Sequence, residues 1–158
     1  MTDDAEHRIA EIDIDEAAIT SANPDIEDER RIAQFDLLEK NHFVVDAIPG
    51  PYRLKLQVQE QRLGFNITSL KDGSERSHQI SLTSFRRLIK DYFMICDSYA
   101  NAIRHATPTQ IEAIDMGRRG LHNEGADLLI ERLQGKIEID HDTARRLFTL
   151  ICALNQRQ

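Results

Sequence analysis

No apolar stretch in this chain of 158 residues approaches the roughly 20 residues needed to cross a bilayer, which excludes a transmembrane helix. No basic, apolar leader opens it either. Met1-Thr2-Asp3-Asp4-Ala5-Glu6 is acidic, so the expected location is cytoplasmic. Cysteine is scarce, with two residues, Cys96 and Cys152. Both fall on apolar faces of predicted helices and read as buried, reduced thiols. No Cys-x-x-Cys or Cys/His spacing suggests zinc, and a reducing compartment argues against a disulfide. A nucleophile arrangement, a phosphate loop and a dinucleotide fingerprint are also missing, so no metal and no cofactor are expected. The glycines of Gly117-Arg118-Arg119-Gly120 follow a predicted helix rather than a strand, which is the wrong context for a phosphate loop.

Positive charge of the kind that binds nucleic acid is lacking too. The net charge of −7 is concentrated at the start of the chain. Residues 1–29 hold eleven acids and one base, Arg8, while residues 30–158 balance at +3. The body is near neutral and has no clustered basic face, which argues against nucleic acid as a partner. An apolar content of 41% and a charged content of 30% are those of an ordinary globular domain, and the length suits one core.

What is present has a clear order. Residues 1–6 read as a flexible acidic tail, and 7–158 as a single domain. Ile9 to Asp15 alternates apolar and acidic residues, which predicts a half-buried strand. Ser21-Ala22-Asn23-Pro24-Asp25 is a turn that opens a helix running to about Asn41, with Ile26, Ile32, Phe35, Leu37 and Leu38 spread around its axis. Phe43-Val44-Val45 is a short strand. Tyr52-Leu54-Leu56-Val58, Leu63-Phe65-Ile67 and His78-Ile80-Leu82 then alternate cleanly. A tight turn near Glu60-Gln61 and the Asp72-Gly73 hairpin signal join them into an antiparallel meander with one apolar face. That face needs a cover. Thr83 to His105 supplies a helix with Phe85, Leu88, Ile89, Tyr92, Phe93, Ile95, Cys96, Tyr99 and Ile103 on one stripe, and it reads as the core helix. Thr107-Pro108 starts a third helical region. Lys136 to Asp140 is a short strand or linker, and Asp142 or Thr143 caps a final helix. The expected fold is α+β: a meander of three to five strands packed against about four helices.

Residues 115–133 break the rhythm. Three glycines, each costing about 1 kcal/mol in a helix relative to alanine, interrupt a stretch that also holds Arg118-Arg119 and His122-Asn123-Glu124. In a continuous helix Arg118 lies in the middle of an apolar stripe and needs a partner, with Asp115 and His122 within reach. With a break at Gly117–Gly120, Asn123 caps a new helix whose free N–H groups sit beside Arg118 and Arg119, an anion site. The sequence leaves both geometries open. Glu124 points away from His122 in the continuous helix, and the His122/Glu124 spacing is wrong for a metal. Four Arg-Arg pairs, at 30–31, 86–87, 118–119 and 145–146, each fall on a different helix. Most such arginines lie at core edges. The sharper reading has some converge on a phosphate or carboxylate, or on the acidic segment 1–29.

Asp91-Tyr92-Phe93, Thr107-Pro108, the run from Gln110 to Gly125 and the run from Asp142 to Leu150 resemble the uncharacterised protein family numbered 0262. The resemblance covers nearly the whole chain after the acidic tail. It implies a small cytoplasmic bacterial protein, mainly of alphaproteobacteria, and brings no catalytic residues with it.

Two functions compete on these residues. The first is a non-enzymatic binding or regulatory module, forming a homo-oligomer, most simply a homodimer, and taking a protein partner or an anionic small molecule. The second is an enzyme acting on an anionic small molecule, a phosphorylated one being one option. There Arg118, Arg119 and Asn123 hold the ligand, His122 transfers a proton and Asp115 orients it. RNA or ribosome contact through the paired arginines is a weaker third reading.

Overall fold

The alternation that runs through residues 52–81 becomes the centre of a mixed sheet in the computed structural model, which describes residues 3–14 and 24–155. Strands β3 (Tyr52–Gln59), β4 (Arg62–Ser69) and β5 (Glu75–Ser81) form the expected antiparallel meander, with Leu54 opposite Ile67 and Leu56 opposite Phe65. Tyr52, Leu54, Leu56, Leu63, Phe65 and Ile67 are all buried on one face, while Arg53 and Lys55 point to solvent. The period of two thus sets the buried face directly. Glu60 and Gln61 make the β3–β4 turn with φ of 52° and 67°, the left-handed pair that a two-residue hairpin requires. Gly73, at φ 79°, supplies the same freedom in the second hairpin.

A fourth strand, β1 (Ile9–Ile14), joins the other edge in parallel with β3, placing Ile12 beside Leu54. Part of the sheet is therefore parallel, because the chain between these strands crosses over through α2 (Pro24–Glu39) rather than turning tightly. The Asn41 side chain closes that crossover. Its Oδ1 accepts from the Ile9 N–H at 2.7 Å and its amide donates to the Ile9 carbonyl at 3.0 Å, as a neighbouring strand would. The start of the chain is tied down next to it: Asp3–Glu6 form one helical turn, α1, and Lys71 reaches the Glu6 carboxylate at 2.9 Å.

A second, two-stranded sheet pairs β2 (Phe43–Val45) with β6 (Ile137–Ile139) antiparallel, so Lys136–Asp140 holds a strand and not a linker. The helix after it begins one residue past β6. Asp140 is the N-cap, accepting from the Thr143 N–H at 2.9 Å, so neither Asp142 nor Thr143 caps it. This last helix, α5 (His141–Leu154), buries ten residues, from Thr143 to Leu154. It is the central one, whereas α3 (Arg86–His105), preceded by a short 3-10 turn at Thr83–Phe85, buries five. Leu88, Ile89, Tyr92 and Cys96 of α3 join the single core, but Ile103 of its expected stripe is 57% exposed. Cys96 and Cys152 are buried free thiols, with Cys96 pushed up to about 12 by burial.

The chain from Pro108 to Leu133 forms one unbroken helix, α4. Thr107 and Gln110 cap it reciprocally, with Pro108 in the first turn. The glycines do not break α4; two of them let neighbours approach. A Cβ at Gly117 would lie 2.8 Å from the Ile95 side chain of α3, and one at Gly125 would lie 2.5 Å from the Phe148 ring of α5. Among the described residues no helix is long and apolar enough to cross a membrane.

Candidate functional site

Continuity of α4 decides what its polar residues can do. No new helix starts at Asn123, so the free N–H groups that it would have capped are not present. The residue is exposed and does not line the cleft described below. Glu124 is also turned away, paired at 3.0 Å with Arg87 of α3.

Asp115, Arg118, Arg119 and His122 do come together. They line a half-open cleft of about 390 Å³ whose other walls are Glu29, Ile32, Ala33 and Asp36 of α2 and Asp142, Arg145, Arg146 and Thr149 of α5. Arg118 is the keystone of its floor. It donates to Asp115 at 3.1 Å and to Glu29, and its guanidinium lies 5.0 Å from the centre of the Tyr99 ring. Burial works against the Arg118 charge, but Glu29 and Asp115 outweigh it and hold its pKa above the ordinary value. Glu29 accepts as well from the Tyr92 hydroxyl at 2.7 Å, so one carboxylate joins α2, α3 and α4. Arg119 takes the second oxygen of Asp115 at 2.9 Å. With both oxygens engaged, Asp115 titrates below the usual carboxylate range, the Arg118 hydrogen bond being the main cause.

His122 sits deeper, with Tyr92 and Phe148 at ring separations of 5.5 and 6.2 Å. Its Nε2 is 3.3 Å from the Thr149 hydroxyl. Burial, then the Arg145 and Arg118 cations, push its pKa down to about 4, with Asp115 pulling weakly the other way. The imidazole is therefore neutral at physiological pH. Among the charges that act on it, the two arginines outweigh Asp115.

One of those cations, Arg145, lies outside the local pattern around residue 118. Three of the four Arg-Arg pairs are tied into the protein: Arg30 to Glu27 and Gln34, Arg31 to Glu27 and Asp28, Arg86 to Gln61, Arg87 to Asp91 and Glu124, and Arg118 and Arg119 as above. Arg145 and Arg146, on the cleft wall, make no ion pair with any described residue. The Arg145 Nε is buried without a hydrogen-bond partner. Such an atom is costly and uncommon in a folded chain. The doubled arginine was visible in the sequence, but nothing in it distinguished this pair from the other three. Glu29 carried no signal, being 89 residues from Arg118. Among the described residues no group of three or more His, Cys, Asp or Glu side chains converges as a metal site would require.

The family model described as Uncharacterised protein family (UPF0262) matches residues 6–157. A UPF0262 protein of Caulobacter vibrioides is 58% identical over 154 residues, covering 97% of this chain and 96% of its own. One from Rhodospirillum rubrum is 56% identical over 154 residues (98% and 95% of the two chains), and one from Brucella abortus is 57% identical over 152 residues (95% and 94%). No solved structure matches significantly. A match across almost the entire length, from the Glu6 anchor to the end of α5, makes this chain a member of the UPF0262 family.

Proposed function

We propose that the chain is a non-enzymatic binding module whose α2–α4–α5 cleft receives an anionic group on Arg145 and Arg146. The buried, unpartnered Nε of Arg145 carries this reading, because a ligand oxygen would supply the partner that the protein does not. Arg118 and Arg119 frame the floor but are already paired with Asp115 and Glu29, so their part is architectural.

The enzyme reading needs an Asp115–His122 pair, and its parts are engaged elsewhere. Asp115 gives both oxygens to arginines, and His122 meets Thr149 instead. A histidine titrating at about 4 is also a weak base for chemistry near neutral pH. Inorganic phosphate, followed through the His122 ring resonances, tests the proposal. Saturable binding should raise the His122 pKa, since added negative charge offsets Arg145 and Arg118. Arg145→Gln should abolish the response. Ring resonances and pKa that ignore phosphate over the whole titration overturn the reading.

A further inference from the structure

The lip of the same cleft is apolar. Ile32 lines it at 61% exposure beside Ala33, and Phe35, on α2 but outside the lining, is 63% exposed. A large side chain standing this far into solvent next to unpaired arginines gives the composition of an anchor pocket with a charged neighbour. The cleft also offers acceptors. Asp36 and Asp142 make no ion pair with described residues, so the lining combines unpaired donors with unpaired acceptors. A simple anion satisfies the arginines and is repelled by both carboxylates. A peptide carries acidic side chains for the arginines, backbone N–H groups for the carboxylates and a side chain for the lip.

We infer that the ligand of this cleft is an acidic peptide segment of a protein partner, with an apolar side chain next to its carboxylates. It lies across α2 and α5, its acid on Arg145 and Arg146 and its apolar residue on Ile32. This rests on the anion site proposed above and adds to it the chemistry of the partner.

Calorimetry with the full chain separates the two. The probes are inorganic phosphate and three acetylated, amidated pentapeptides, Gly-Asp-X-Asp-Gly, with X as alanine, leucine or phenylalanine. The leucine and phenylalanine peptides should bind about tenfold more tightly than the alanine peptide, the gain expected for covering one apolar side chain. Ile32→Ser should erase that preference and leave phosphate binding unchanged. Arg145→Gln should weaken every probe. Equal affinity for the three peptides, with phosphate still bound, overturns the peptide inference and leaves the anion site standing. Loss of binding by all four probes overturns both.

Discussion

Acid should weaken this fold through one side chain, His122. Its proton leaves at about 4 in the folded chain, because burial and the Arg145 and Arg118 cations oppose the charged form. In the unfolded chain an ordinary histidine titrates near 6.5. Between those limits the unfolded state binds more protons, so stability rises with pH. The contribution is complete above about pH 6.5 and is lost as pH falls through about 4. The whole difference is about 3 kcal/mol at most, and roughly 2 kcal/mol of it has gone by about pH 5. Urea unfolding of the wild type and of His122→Gln, at about pH 8 and about pH 5, reads it out. The carboxylates and His78, itself pushed down by burial, titrate in both proteins and cancel in the comparison. The stability advantage of the wild type over the variant should shrink by about 2 kcal/mol on acidification. An advantage that stays the same at both pH values refutes the account of His122 as a buried neutral group opposed by the Arg145 and Arg118 cations.

Two glycines of α4 should respond oppositely to alanine. Gly120 has open space where a Cβ would stand, so Gly120→Ala should stabilise the fold through helix propensity, by up to about 1 kcal/mol in urea unfolding. Gly125→Ala should destabilise it by about 1–3 kcal/mol in the same assay, since the new methyl meets the Phe148 ring. Arg118→Ala should cost about 1–2 kcal/mol, leaving Glu29 half-buried without its cation, and a double-mutant cycle with Glu29→Gln should show the two are coupled. Arg87→Ala, at a solvent-exposed pair, should barely move the unfolding midpoint.

The elements whose signal is local could be read in advance. The β3–β4–β5 alternation, the Asp72-Gly73 hairpin and the Thr107-Pro108 helix start all depend on neighbours a few residues apart. Three features depend on distant partners and escaped. β1 joins β3 in parallel because α2 intervenes, and alternation alone says nothing about strand direction. The choice between a broken and a continuous α4 rested on Gly117–Gly120; Gly117, like Gly125, answers to a side chain from another helix, Ile95 or Phe148, while Gly120 faces open space. The candidate site was half legible. Asp115, Arg118, Arg119 and His122 share a cleft as their helical spacing allows, and Asn123 falls outside it. Glu29, Arg145 and Thr149 complete it from helices far away in the chain.

The pairing of β2 with β6 joins residues 43–45 to 137–139, and the cleft draws its walls from residues as far apart as Glu29 and Thr149. On the ribosome, β2 and α2 emerge well before β6 and α5, against which they also pack. Phe43 meets Tyr52 early, but the packing around β2 and α2 is completed only with those later segments. The meander can close on its own hairpins during that interval, as local contacts form early. The cleft cannot, because Asp142, Arg145, Arg146 and Thr149 of α5 form one of its walls, so a chain cut before α5 cannot build it.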